Sequence, residues 1–147
     1  QIPGGPIEVE TEKSVMAFPE SWLAVTLAKS AGCPAYPAYV PDVPLPFVAF
    51  RREGTERERY MEGSAAVPLA TFDVNVYAAG YLEAKTIADR LRLGVDNFAG
   101  LGEGCIITDT RVTAEADGDP EFNQGEDSPA AYVVNMTVEI RFREDTT

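Results

Sequence analysis

The chain of 147 residues contains no histidine. It therefore lacks the commonest general base and the commonest transition-metal ligand of proteins. Its two cysteines, Cys33 and Cys105, lie far apart and form neither a zinc-ligand spacing nor a CxxC redox motif. We expect both to stay reduced, as buried apolar groups or isolated thiols. There is also no GxSxG motif, so the sequence predicts no enzyme, no metal and no cofactor.

Long apolar runs and basic residues are also scarce. No apolar stretch approaches the roughly 20 residues that cross a bilayer, and the N-terminus lacks the features of a signal peptide. We therefore expect a soluble protein made in the cytoplasm. Lys and Arg total 12 against 24 Asp and Glu, giving a net charge of −12. This balance disfavours binding to a nucleic-acid backbone or to an anionic membrane surface.

The length and the apolar content of 45% fit one domain with one core. We predict an N-terminal arm over residues 1–18 and a single domain over residues 19–147. Pro19 suits the first turn of a helix and Glu20 suits its positive end, while Gly32 follows the last apolar residues. These signals predict a helix over residues 19–31.

The segment CPAYPAYVPDVPLP, from Cys33 to Pro46, contains five prolines. Proline donates no backbone hydrogen bond, so the segment is excluded from the interior of a sheet and predicted to be an extended connector. It carries Tyr36 and Tyr39. Packing on its own domain or on a neighbouring subunit is favoured over a role as ligand for a proline-recognition module, because PxxP spacing arises easily in such loops.

Four segments are predicted to be strands: residues 47–52, 67–77, 105–114 and 131–143. The second and the fourth alternate apolar and polar residues in the way that is typical of strands with one covered face, and the third is rich in β-branched residues. After the second, a helix is predicted from Tyr81 to Phe98, because its apolar residues recur three and four apart. The order of elements predicts an α+β fold, with an approximately four-stranded, mainly antiparallel sheet, two helices packed on one face, the Pro-rich connector and long hairpin loops.

The glycines in AGLGEGC follow the second helix. A phosphate-binding loop must precede its helix, so that the amides at the helix N-terminus face the phosphate. We therefore interpret these glycines as capping and turning the chain.

Carboxylates are the remaining candidates for chemistry. Asp117, Asp119 and Glu121 alternate in an acidic loop, but Pro120 breaks any calcium-binding ring, and a solvated loop is favoured. Asp73 could in principle work with Asp109 or Glu139 as acid and base. An exposed sheet face or a subunit contact is favoured, because surface carboxylates are abundant in an acidic chain.

The pattern over Pro19 to Glu144 resembles the tail terminator, or head-to-tail joining, proteins of long-tailed bacteriophages and gene transfer agents. The resemblance rests on LPFVAF after a Pro-rich run, on FDVNVYAAGYLEAKTIADRLR and on the final AAYVVNMTVEIRFRE. It implies a small α+β subunit of a hexameric ring that caps the tail tube and joins it to the head-side neck or stopper protein, within the virion. DNA would pass through the ring without specific binding, which an acidic lumen favours.

Between the first two strands, residues 53–66 mix charges of both signs and are predicted to form an exposed charged hairpin. A ring requires lateral contacts, and the polar sheet face, the connector and this hairpin are surfaces for which a monomer has little use. The predicted subunit and partner interface comprises Tyr36, Tyr39, Arg51, Glu56, Arg57, Glu58, Arg59, Asp73, Asn75, Glu83, Lys85 and Arg92. Two alternatives remain: a small α+β enzyme or ligand-binding domain that uses carboxylates, and an adaptor that recognises one protein partner.

Overall fold

The computed structural model describes residues 18–38, 43–57, 67–122, 125 and 129–143. Of the predicted N-terminal arm, only Phe18 lies within these residues. The described elements are α1 (Pro19–Ala31), β1 (Ala35–Tyr36), β2 (Phe47–Glu56), β3 (Leu69–Ala78), α2 (Tyr81–Val95), β4 (Gly100–Gly102), β5 (Cys105–Asp117), β6 (Glu121–Phe122) and β7 (Pro129–Phe142). All four predicted strands and both predicted helices are present.

The strands form one mixed sheet in the order β1-β2-β3-β7-β5-β4, and β6 pairs with the N-terminal end of β7. Only the β1–β2 pair is parallel; the other pairs are antiparallel. The prediction of an α+β domain with a mainly antiparallel sheet is therefore confirmed. The predicted number of about four strands is too low, because β1, β4 and β6 contain only two or three residues and have no readable alternation.

The first helix has the predicted bounds, and the second is shorter than predicted. Gly32 ends α1 with a left-handed φ of 75°, and its N–H bonds the carbonyl oxygen of Ala28. The α2 helix ends at Val95 instead of Phe98. The Asp96 carboxylate accepts a hydrogen bond from the Val112 N–H at 3.0 Å, and the Asn97 N–H donates to the Thr110 carbonyl at 2.8 Å. These bonds tie the chain to β5 and stop the helix.

Both helices cover one face of the sheet, which we call the inner face. On β3 the side chains of Phe72, Val74 and Val76 are completely buried there. Five residues of the predicted α2 stripe are buried as well: Ala84, Ile87, Ala88, Leu91 and Val95. The core is completed mainly by α1 and by the inward residues of β2, β5 and β7.

The glycines after α2 form a hairpin turn and do not cap the helix. The interpretation that they cap the helix and turn the chain is therefore correct for the turn and wrong for the cap. Gly102 pairs with Cys105, and the two residues between them have φ values of 50° at Glu103 and 80° at Gly104. Two consecutive positive φ values are those of a type I′ turn, which suits the twist of a two-residue hairpin. The chain thus turns from β4 into β5.

The described part of the Pro-rich connector packs on its own domain. Tyr36 contacts Phe47 edge-on at a centroid distance of 6.0 Å, and Phe47 stacks on Tyr77 at 4.8 Å. Val43 and Leu45 pack on the same cluster. Within the described part of the connector, β1 lies at the edge of the sheet, as the prolines require.

Candidate interaction surface

The face of the sheet opposite the helices, here the outer face, has a polar centre. Asn75 lies between Ala49 and Asn135 in register, and Asp73 lies between Arg51 and Thr137. The Asp73 and Asn75 side chains are half-buried, whereas Arg51 is exposed. The alternation of β3 therefore places both predicted interface residues on the solvent side, as expected.

Charges of alternating sign continue this face towards the β4 side of the sheet. Asp109 lies opposite Arg141, and Arg111 lies opposite Glu139. Arg111 Nε also contacts Asp109 Oδ2 at 3.0 Å along the same strand. Each charge therefore has an opposite charge beside it, as cross-strand pairing favours.

The structure separates the carboxylates that were considered as an acid and base pair. Asp109 and Glu139 line one depression of about 90 Å³ with Leu69, whereas Asp73 lines another of about 190 Å³ with Arg51 and Asn75. Both volumes are below the roughly 300 Å³ at which small-molecule clefts begin. Neither of these two depressions on the outer face therefore has the volume of a small-molecule cleft.

The inner side of β5 carries a polar cluster that the sequence did not predict. Tyr81 Oη donates to Asp117 Oδ2 at 2.8 Å, and Lys85 Nζ contacts Asp117 Oδ1 at 3.0 Å. Both hydrogen bonds lower the pKa of Asp117, and the bond from Lys85 has the larger effect. The hydrogen bond between Lys85 and Asp117 also raises the pKa of Lys85. The cluster fixes the first turns of α2 on β5.

This arrangement corrects the prediction that the strand ends at residue 114 and that Asp117 and Glu121 lie in an acidic loop. The β5 strand continues to Asp117, and Glu121 pairs with Ala131 in β6. The exposed sequence Ala114 to Asp117 has no apolar alternation, so its strand conformation depends on β7 as a partner. The spacing of Tyr81 and Lys85, four residues apart on one helix, was the available signal for a shared acceptor.

A second ion pair connects α1 with β2. Arg52 Nη2 and Nε bond the two Glu20 carboxylate oxygens at 2.7 and 2.9 Å, and Nη1 bonds Thr55. The guanidinium lies 5.5 Å from the Phe72 ring centroid and 5.6 Å from that of Phe142. Arg52 therefore has a structural role, and its neighbour Arg51 is the arginine that faces solvent.

The other predicted interface residues are dispersed. Tyr36 is half-buried against Phe47, and Glu56 and Arg57 are exposed where β2 ends. Glu83 is exposed on α2, Lys85 is paired with Asp117, and Arg92 contacts Asp89 at 2.6 Å. Tyr39, Glu58 and Arg59 lie outside the described residues. Among the members of the set that the structure describes, Arg51, Asp73 and Asn75 lie together, and the interface stays a prediction.

Within the described ranges, no three His, Cys, Asp or Glu side chains form a group that could hold a metal ion. Neither described helix could span a bilayer. Both cysteines are free thiols, Cys105 buried and Cys33 half-buried. Burial raises the pKa of Cys105 to about 11, so its reactive thiolate is disfavoured.

Comparison with known proteins gives a likeness of structure. No family model matches the sequence, and no curated protein matches it. Among solved structures, a chain described as "Virion of native gene transfer agent (GTA) particle" superposes with a TM-score of 0.53 at 13% identity. The match covers 93% of this chain and 94% of the other. The fold is therefore one that a gene transfer agent particle contains.

Proposed function

We propose that the chain is a structural subunit of the virion of a phage or gene transfer agent. The observation that supports this proposal most strongly is the match to a virion chain over 93% of this protein and 94% of the other. The fold accounts for nearly the whole length of both chains. A structural role, without catalysis or a cofactor, follows from this assignment.

More specifically, we propose a tail terminator. Subunits form a hexameric ring that caps the tail tube and contacts the head-side neck or stopper protein. The order of elements matches the pattern that suggested this family, including the edge-packed connector and the β3–α2 unit. The proposed location is the tail or neck of the particle, assembled in the host cytoplasm.

The charge of the chain supports passage of DNA through such a ring. A net charge of −12 repels phosphates at low salt, so the genome can slide without being held. The outer sheet face, with Asp73 and Asn75 half-buried and Arg51 exposed, supplies polar surface for contacts. Such a surface favours specificity of partner and register.

Mass photometry and negative-stain electron microscopy of the purified chain test the proposal. We expect closed rings of a defined multiple of the 15.9 kDa subunit. When the rings are mixed with tail tubes of the same particle, they should bind at one tube end. A strict monomer at the highest soluble concentration, with no density at tube ends, would overturn the assignment.

A further inference from the structure

Two long strands of the sheet have edges without a neighbouring strand in the described chain. On one side, β1 pairs with Val48 and Ala49, and among the described residues no strand pairs with the outer edge of residues 50–56, the β2 edge segment. Ala38, after β1, lines a depression with Phe50 and Arg51. On the other side, β4 pairs only with β5 residues Cys105 to Ile107. The loop after α2 covers the next stretch, since Asn97 and Asp96 bond Thr110 and Val112. Residues 113–117, the β5 edge segment, lie beyond that cover.

Backbone alternation shows which groups point outward at each edge. The Val48 N–H bonds the Pro34 carbonyl on the β1 side, so the N–H and C=O groups of Phe50 and Arg52 point the same way. On β5, the Gly118 N–H bonds Val133 in β7. The groups of Glu115 and Asp117 therefore point away from β7, towards the open edge. Within the part of the chain that the structure describes, these groups have no backbone partner. Such rows of donors and acceptors are templates for another strand.

We propose that the β5 edge segment of one copy pairs with the β2 edge segment of the next copy, so that the sheet continues from subunit to subunit. This inference rests on the proposed ring and identifies its lateral contact. The four long strands alternate in direction in the order β2, β3, β7, β5. A neighbouring copy in the same orientation therefore offers β2 antiparallel to β5, and the pairing is heterologous, as a ring requires.

The positions of the two segments agree with a closed ring. In register, Glu115 is level with Met136, Val74 and Phe50, which is the first residue of the β2 edge segment. If the centres of the two segments, Glu115 of one copy and Glu53 of the next, lie side by side, the second copy is displaced by about three residues along the strand direction. Each copy contributes four long strands to the continuous sheet, so this is the displacement for every four strands. Closed sheets have a comparable stagger, roughly one residue per strand at a tilt of about 36°.

Charge gives the pairing its direction. The β5 edge segment holds Glu115 and Asp117, and Asp119 follows, with no Lys or Arg between Arg111 and Arg141. The β2 edge segment carries the exposed Arg51, and Arg57 follows it, interspersed with Glu53 and Glu56. These arginines can attract the β5 carboxylates, whereas two β5 edges, which contain no basic residue, repel each other.

The test uses proline, which removes an N–H but is tolerated where that N–H points away from the sheet. Glu115→Pro should leave a folded subunit that no longer forms rings, whereas the matched control Glu115→Ala, which keeps the N–H, should assemble like the natural chain. Circular dichroism and the melting temperature check the fold, and mass photometry gives the assembly state. Rings of unchanged stability in Glu115→Pro would overturn the pairing while leaving the proposed function intact. A natural chain that stays monomeric would overturn both.

A cross-link tests the same contact if Glu115→Pro does not fold. Thr55→Cys combined with Glu115→Cys, or Glu53→Cys with Glu115→Cys, should give under oxidation a ladder of covalent oligomers that reducing agent removes. Each variant with one introduced cysteine is the control, because it shows any cross-linking that involves the natural Cys33 or Cys105. Rings without a ladder in either double variant would contradict the proposed register.

Discussion

At the scale of the residue, Arg52 shows how the inner face accommodates a charge. Its guanidinium lies near both the Phe72 and the Phe142 ring centroids, at 5.5 and 5.6 Å, while both carboxylate oxygens of Glu20 accept its hydrogen bonds. The side chains of Arg52 and Glu20 retain 23% and 38% exposure, so solvent weakens the pair without removing it. The pair joins elements 32 residues apart in sequence.

We predict that Glu20→Ala lowers the free energy of unfolding by about 1–2 kcal/mol, because Arg52 loses two charge-assisted hydrogen bonds at a partly buried site. Urea denaturation measures the change. Asp89→Ala, which removes the exposed partner of Arg92 within α2, is the control and should change stability by no more than about 0.5 kcal/mol. Equal losses in the two variants would contradict a special role for Glu20.

The pKa of Asp117 gives a prediction about pH. Its hydrogen bonds lower the folded pKa below the ordinary 3.8, so the interaction stabilises the fold above that value and is lost as pH falls through the lowered pKa. Asp117→Asn should therefore reduce the melting temperature between pH 5 and 7 (about 1–3 units above the ordinary pKa), and its difference from the natural chain should shrink below about pH 4.

The control for this pH dependence is Asp119→Asn, which removes a carboxylate without a hydrogen bond to any described residue. Its melting temperature should follow that of the natural chain across the same range. A difference between Asp117→Asn and the natural chain that stays constant down to the acid transition would contradict the assigned cause.

At the scale of the element, β4 and α1 meet through a glycine. A Cβ placed on Gly102 would lie 2.2 Å from Trp22 Cδ1, so only glycine allows the indole to lie against the strand. Trp22 in turn stacks on Phe98 at a centroid distance of 4.7 Å. One backbone position thus sets the packing of the helix, the strand and the loop after α2.

Gly102→Ala should destabilise the domain by about 1–3 kcal/mol, because the added methyl group overpacks this contact. Trp22 is the single tryptophan of the chain, so its fluorescence reports directly on the displacement. We expect a red-shifted emission together with the lower stability. Gly54→Ala, where the new methyl would meet no atom within 4 Å, is the matched control and should leave emission unchanged. Unchanged emission in Gly102→Ala would contradict the proposed contact.

The elements that the sequence predicts well have local signals. The first helix begins at Pro19 and stops at Gly32, and the alternation of Phe72, Val74 and Val76 marks β3. The others depend on partners far along the chain. The two residues of β1 form a strand only because β2 lies beside them, and Asp96 ends α2 by bonding Val112 in β5.

Prediction of the candidate surface has the same limit. Alternation places Asp73 and Asn75 on the outer face correctly, but it cannot show that Tyr36 folds back on Phe47 or that Lys85 reaches Asp117. Those contacts join residues 11 and 32 positions apart, and no local pattern encodes them.

At the scale of the whole molecule, the mixed charges after β2 lead to a prediction about assembly. Reversal of Arg57 and Arg59 to glutamate should raise the concentration needed for rings by about tenfold or more, because it removes attraction to acidic edges. Mass photometry across a dilution series measures this. Lys29→Glu with Arg90→Glu makes the same change in net charge on the two helices and should have a smaller effect. Equal effects in the two double variants would indicate a general influence of charge.

The net charge also predicts how the assembly behaves towards DNA. We expect no retardation of double-stranded DNA in a gel at about 50 mM salt, where backbone attraction is strongest. A basic peptide, which binds the DNA backbone by charge, is added to a tail tube preparation as the positive control for retardation. Retardation by the chain that weakens as salt rises would contradict a lumen through which DNA slides.

The β2–β3 and β5–β7 hairpin connections start at opposite ends of the sheet, because β2 and β5 run in opposite directions. In a ring whose strands run between its two rims, each rim would therefore carry a different hairpin connection. A short epitope inserted into one hairpin would label one rim only, which gives an independent way to determine the polarity of the ring in a finished particle.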